Sequence, residues 1–300
     1  MYYGLIIISV IMFGGSFALQ DVYRKKRGSN LKISMESACI GALAGLVVLL
    51  VVNGFKFEFT PFTLVIALIL AVSNICFTFC TFRALEVINL SLFSVFSMLG
   101  GMLLPFLQGV IFYDESFTLA KLLCIIFICA ALALTFEKNG SGRGYIYYVG
   151  IFVLNGMSGV MTKIYNESDY PKASAAGFSI CCALTSVVLA GALWILLGLK
   201  DRNAKPISEM RNESKAIRAF DASAYGLAAA YGAINKVANF LLVIALVHVE
   251  SSVQYPMITG GVMIVSTAIC FFGDRKPSKK EIYSVVLAFI AMLLLFIVPI

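Results

Sequence analysis

One lysine sits where a lysine is costly. Lys236 falls within an apolar run over residues 223–247, about thirteen positions from one end and eleven from the other. At 1.5 Å per helical residue the nearer end lies about 16 Å away, whereas a lysine side chain reaches only about 6 Å. The ammonium must therefore face the interior of a helix bundle or a wet cavity. It could serve as a counter-charge for an anionic ligand group or as a proton carrier. The plain structural alternative is an ion pair with a carboxylate such as Asp21 or Glu86, both of which fall near the ends of apolar runs. Tyr231, Gly232, Asn235 and Asn239 lie within about a turn of Lys236 and make one polar stripe with it.

Other polar residues recur inside apolar runs. Asn74, Thr78 and Thr81 form a stripe like that of Asn235 and Asn239, with Ile75 where Lys236 would stand. Gln254 and Tyr255 precede Pro256, which removes a backbone donor and can open a helix toward a cavity. Ser91, Ser94, Ser97 and Gln108 surround Pro105, and Ser9, Ser16 and Gln20 match Asn155, Ser158 and Thr162 in character. Each could orient a ligand or bond a neighbouring helix. The expected substrate-binding set is Lys236, Asn235, Asn239, Tyr231, Asn74, Thr78, Gln254, Tyr255, Ser94, Gln20 and Ser158, with no catalytic residue. No metal or cofactor is expected: the eight cysteines lie in apolar runs as packing residues, and Cys76 and Cys80 have no His or carboxylate in their segment to complete a metal set. His248, the single histidine, reads as interfacial beside Glu250.

The elements that position these groups follow from composition. Of 300 residues, 60% are hydrophobic and 13% charged, about half the charge of a water-soluble domain. Runs of the roughly 20 residues needed to cross hydrocarbon occur over 3–23, 34–54, 61–82, 89–112, 118–136, 145–165, 173–199, 223–247, 251–273 and 281–298. Their length and lack of period-two alternation specify helices rather than a barrel. The expected fold is an all-α integral membrane bundle of ten transmembrane helices. The first run lacks the basic start and cleavage site of a secretory signal and is expected to be retained. Tyr145, Tyr147, Tyr148, Tyr165, Tyr170 and Trp194 lie toward run ends, where interfacial aromatic belts belong.

Charge sets the topology. Alternate connectors carry Arg24 to Arg27 with Lys32, then Arg83, then Lys138 and Arg143, then six basic residues from Lys200 to Arg218, then Arg275, Lys276, Lys279 and Lys280. The other connectors carry Lys56, Lys121, Lys163 and Lys172. Basic connectors stay cytoplasmic, so both termini should be extracytoplasmic in a multi-pass protein of the bacterial cytoplasmic membrane. Basic residues clustered between apolar spans argue against nucleic-acid binding.

An internal repeat is visible. Ala84-Leu85 through Ser91 and Gly100-Gly101 to Asp114 resembles Ala245-Leu246 through Ser251 and Gly260-Gly261 to Asp274. Asn74 meets Asn235, Phe79 meets Phe240, and Gly14, Ser16 and Tyr23 meet Gly156, Ser158 and Tyr165. Two five-helix repeats, 1–138 and 145–300, are expected in one membrane domain. An odd number of spans per repeat makes the arrangement a 5+5 inverted repeat. The Gly pairs read as close-packing positions.

With Phe13-Gly14-Gly15-Ser16-Phe17 in helix 1, and Arg83-Ala84-Leu85-Glu86 leading through Ser91 toward Asp114-Glu115, the whole chain resembles the drug/metabolite transporter superfamily in its ten-helix EamA-type branch. Phe13 stands where that family usually has Trp, and its members usually keep their termini inside. The resemblance implies a central cavity lined by helices 1, 3, 4, 6, 8 and 9, and substrates among amino acids, nucleobases, sugars, organic cations and nucleotide-linked metabolites.

No Walker sequence is present to harness ATP. The function expected is a secondary transporter, not an enzyme, moving a small polar metabolite with an anionic group across the lipid bilayer by alternating access. The alternatives are a membrane-embedded enzyme acting on a lipid-linked substrate through Asp114-Glu115 or His248 with Glu250, and a non-transporting membrane subunit. Gly-rich helix faces permit a homodimer.

Overall fold

The computed structural model describes residues 2–113, 118–135, 145–204, 222–246, 249, 251–273 and 276–297. Among them are ten α-helices and no strand: α1 Tyr2–Arg27, α2 Leu31–Val52, α3 Pro61–Val87, α4 Leu90–Phe112, α5 Leu119–Thr135, α6 Tyr145–Glu167, α7 Ala175–Ala204, α8 Ala222–Leu246, α9 Ser251–Phe272 and α10 Lys279–Ile297. They coincide with the ten apolar runs to within a few residues. Helices α1, α3 and α7 continue beyond the apolar limit because backbone hydrogen bonding does not stop at the edge of hydrocarbon, and the four basic residues Arg24 to Arg27 suit a helix C-terminus. Among the described residues, α1, α2, α3, α4 and the Ala175–Lys200 part of α7 are long and apolar enough to cross a membrane. The chain is thus an all-α, multi-pass membrane protein.

Helix starts are set by local chemistry. The side-chain oxygens of Asn30, Thr60 and Asn89 accept from the backbone N–H of Ile33, Thr63 and Leu92, and Pro61 opens α3 where no N–H is needed.

Contacts between connectors assign helix ends to two faces. Lys26 Nζ donates to Ser223 Oγ at 2.9 Å, Ser29 bonds Glu86, and Asn89 Nδ2 donates to Glu281 Oε2 at 2.7 Å. The ends of α1 and α3 and the starts of α2, α4, α8 and α10 therefore share one face, called here the basic end. At the opposite end Thr60 Oγ1 donates to the Pro171 carbonyl at 2.9 Å, Ser174 N donates to Glu58 Oε2 at 3.3 Å, and Lys163 Nζ lies 5.2 Å from the Tyr113 ring. Helix α1 runs toward the basic end and α6 runs away from it.

Helix α1 packs mainly on α8 and α9, α6 on α3 and α4, α2 on α7 and α8, α7 on α2 and α3, α4 on α9, and α5 on α10. Glycines make the close crossings, as expected of them. Side chains fill the place of a Cβ at Gly14 (Val265 of α9), Gly156 (Leu104 of α4) and Gly261 (Val10 of α1), and at Gly100 the Phe152 backbone of α6 fills it. The largest core cluster, including Ile6, Phe93, Leu99 and Met263, joins α1, α4 and α9.

Candidate functional site

Helix α8 approaches α2 along a ridge of Ala224, Ala228, Gly232 and Lys236, each four residues from the next. Opposite it Ser37, Gly41 and Gly45 line α2 at the same spacing. Both helices start at the basic end and so run parallel. The Gly41 and Gly232 backbones touch, and the Gly41 backbone leaves no space for a Cβ at Gly232. Without a hydrophobic force between helices in lipid, such small-residue contacts supply the association. One turn further on, the Lys236 stem occupies the space that a Gly45 side chain would need: a Cβ there would overlap Lys236 Cγ and sit 3.2 Å from Lys236 Cβ and 3.3 Å from the Gly232 carbonyl oxygen. Glycine at 45 gives the lysine its passage across α2. At the related position in α3, Ile75 is buried in an apolar cluster with Met35 and Ala190.

Lys236 lies deep along α8 and is half-buried. The structural alternative of an ion pair is not realised among the described residues. Asp21 is held by Arg24 at 2.8 Å and Lys25 at 3.3 Å, while Glu86 is bonded to Arg83 at 3.3 Å and to Ser29.

Leu242 and Ala245 join the core cluster of α1, whereas Gly232 and Lys236 face α2. At about 100° per residue, Asn235 and Asn239 project between those two sectors, toward the bundle interior. Asn239 is exposed. Its Nδ2 donates to the Asn235 carbonyl at 2.8 Å and to Asn235 Oδ1 at 3.2 Å. Tyr231 is half-buried with a ring carbon against Gly41. These four expected residues are brought together on α8.

The others are distributed. Ser9, Ser16, Gln20, Tyr23 and Arg27 share one face of α1. Ser9 and Ser16 donate to the Leu5 and Phe13 carbonyls, both at 2.8 Å, whereas neither amide atom of the buried Gln20 has a hydrogen-bond partner among the described residues. Asn74 is half-buried on α3, and its carbonyl accepts from the buried Thr78 hydroxyl at 2.9 Å; α3 is not among the main partners of α8. Ser94 is fully buried and donates to the Ser91 carbonyl at 2.7 Å, so its hydroxyl is spent on its own helix. Ser158 is half-buried on α6, and its carbonyl accepts from Thr162 at 2.8 Å. The side chains of Gln254 and Tyr255, and residues Asp114, Glu115, His248 and Glu250, lie outside the described residues. Helix α2, which the family resemblance leaves out of the cavity, reaches Lys236 through Gly45.

A charged cluster at the basic end escapes the sequence reading. Buried Glu36 of α2 accepts from the Tyr23 hydroxyl at 2.8 Å and from Arg27 at 2.9 and 3.2 Å, and the Arg27 guanidinium lies 5.6 Å from the Tyr225 ring centre. The signal was an acid inside an apolar run, which by itself marks a function or a buried partner. At the opposite end Tyr165 donates to the Ala173 carbonyl at 2.9 Å, lies 3.2 Å from Thr63 Oγ1, and stacks on Phe178 at 4.1 Å. Tyr165 is therefore a buried plug rather than a member of an interfacial belt. Tyr147 and Tyr148 also turn inward, onto Phe79 and Phe96, whereas Tyr170 is exposed.

The fold and these groups define a helical membrane protein with buried polar side chains and, among the described residues, one deep cation. Neither profiles of known protein families nor curated protein sequences give a match to the chain.

Proposed function

We propose that the chain is a secondary transporter of the drug/metabolite type, carrying a small polar metabolite with an anionic group by alternating access. The observation that carries this reading is Lys236: a deep, half-buried ammonium, without an ion-pair partner among the described residues, on the same helix stretch as Asn235 and Asn239. Removing an ion from water costs several kcal/mol. A bound anion offsets that cost in a way no described protein group does.

The carrier reading includes ten spans in two inverted repeats, and paired contacts in the two halves support it. Gly14 on Val265 has its counterpart in Gly156 on Leu104, and Val10 on Gly261 in Phe152 on Gly100. Those contacts match Gly100 with Gly261, one residue beyond the alignment that pairs it with Gly260. Tyr23 bonds Glu36 at the basic end while Tyr165 stacks on Phe178 at the other. The opposed directions of α1 and α6 suit access from either face around a central site. The basic connectors put the termini on the extracytoplasmic side.

A thermal-shift screen of the purified protein against anionic, zwitterionic and cationic metabolites tests the proposal, because a ligand favouring the folded state raises its melting temperature. Anionic hits that Lys236→Met abolishes, without loss of folding, support it. Cationic hits, or anionic hits that Lys236→Met leaves intact, count against it.

A further inference from the structure

Three phenylalanines point the wrong way for water. Phe55, Phe57 and Phe59 lie in the connector between α2 and α3 and are 71%, 46% and 62% exposed. The Phe57 and Phe59 rings are 5.7 Å apart, as side chains two residues apart on one side of an extended chain are. The alternate residues Glu58 and Thr60 turn to the protein. A Cβ on Gly177 of α7 would lie 3.2 Å from the Glu58 Cβ and 2.9 Å from its carbonyl oxygen. The Glu58 carboxylate accepts from the Ser174 N–H at 3.3 Å, and Thr60 donates to the Pro171 carbonyl at 2.9 Å. The segment thus gives polar side chains to the α6–α7 connector and its rings to the surroundings, the reverse of a connector in water.

The backbone is bent to achieve this. After α2 the Phe55 N–H donates to the Leu50 carbonyl at 2.8 Å, and Gly54 and Phe55 both have positive φ, 60° and 58°. Among the described residues Phe55 is the one non-glycine residue with positive φ. Glycine adopts that conformation freely, whereas a bulky side chain there is an outlier that its surroundings must compensate. With most of its surface exposed, Phe55 finds little compensation inside the protein.

What covers the rings follows from where they sit. On α2 the exposed Leu43, Val47 and Val51 form a stripe at four-residue spacing, and on α3 Leu64, Val65 and Leu68 form another. Both helices are long and apolar enough to cross a membrane, so the stripes face acyl chains, and both end at the connector. The rings continue that lipid-facing surface at the depth where the spans end. Tyr170, 67% exposed with its ring 5.2 Å from Phe62, lies at the same end and suits the headgroup boundary. A second protein chain fits less well. Three phenylalanines exposed to this degree present roughly 350 Å², against the about 800 Å² that each partner gives to a stable protein interface.

We infer that the α2–α3 connector is an interfacial anchor whose partner is the lipid bilayer. Residues 55–59 lie in the leaflet opposite the basic end, with the three rings among headgroups and upper acyl chains. Glu58 and Thr60 strap the α6–α7 connector to the same surface. This anchor does not depend on what the chain carries.

Tryptophan fluorescence tests it. In a Trp194→Phe background, which removes the single native tryptophan, Phe57→Trp and Phe59→Trp are reconstituted separately in phosphatidylcholine–phosphatidylglycerol vesicles. The lipids carry bromine either at the headgroup end or at the far end of the acyl chains, and iodide is present on both sides of the membrane. Emission should lie to the blue of free tryptophan and be quenched most by shallow bromine, less by deep bromine and least by iodide. Iodide quenching as strong as that of a free tryptophan analogue, with none by bromine, would put the connector in water and overturn the inference. Quenching strongest from deep bromine would contradict the interfacial depth. Quenching by neither would bury the rings in protein, in a second copy if light scattering then gives a dimer, and would overturn it equally. A second measurement uses the unaltered chain and needs no variant to fold: in nanodiscs, a phospholipid with a photoactivated diazirine beside its headgroup should label residues 55–59. Absence of label there would refute the anchor.

Discussion

Replacing Glu36 by alanine should destabilise the protein by about 3 kcal/mol, a value that follows from what the carboxylate holds. Its side chain is 7% exposed, and it accepts from the fully buried Tyr23 hydroxyl and twice from Arg27, whose side chain is 22% exposed. Orphaning a buried hydroxyl costs about 1–3 kcal/mol. The ion pair adds about 1 kcal/mol once the partial exposure of Arg27 is discounted. At about 2–3 °C per kcal/mol for a chain of this size, the melting temperature in detergent should fall by roughly 6–9 °C. Tyr23→Phe removes the group that would be orphaned, so the double substitution should cost less than the two single ones together, with a coupling of about 1–1.5 kcal/mol. A loss below about 0.5 kcal/mol for Glu36→Ala, or strict additivity with Tyr23→Phe, would refute the idea that this carboxylate ties α1 to α2 at the basic end.

Two further outcomes follow from contacts already described. Gly45→Ala puts a methyl group where Lys236 Cγ lies; because the obstacle is a flexible stem, the protein should still fold, but the ammonium should shift and affinity for anionic ligands should drop about tenfold, about 1.4 kcal/mol in a binding titration. Unchanged affinity would mean the ammonium does not set it. At the opposite end, hydrogen bonds from Ser174 hold the exposed Glu58 carboxyl below the usual carboxylate range. A depressed folded-state value means a contribution present above the unfolded value, near pH 4.3, and lost as pH falls through the folded value. Amide exchange at the start of α7 should therefore be constant from pH 5 upward, after correction for intrinsic rates, and speed up below pH 4. Glu58→Gln should remove that dependence, and a transition near neutral pH would contradict the assignment.

What the sequence made legible is what lipid enforces. Ten helices were readable because a span needs about 20 apolar residues and satisfied backbone amides, and Lys236 stood out because a charge at that depth has few innocent explanations. Gly45 was not readable as part of the site, since a glycine in an apolar run has no signature until the residue crossing it, on a helix far along the chain, is known. Glu36 was visible as a charge but lay near the start of its run, where acids are common, and its partner Arg27 read as a topology signal. Tyr165 fits an interfacial belt and a buried plug equally well by position; its pairing with Tyr23 in the repeat was the better clue. Ser94 shows the limit of composition: a hydroxyl in a helix can serve a ligand or the preceding turn, and here it serves the turn.

The central claim, an interior around α8 that opens to each side in turn, is tested most directly by the accessibility of Asn239. In a background with the native cysteines replaced, Asn239→Cys in oriented proteoliposomes should be modified by a membrane-impermeant maleimide from either face, and an anionic ligand should slow the reaction. Modification from one face alone, or from neither, would contradict an alternating-access carrier.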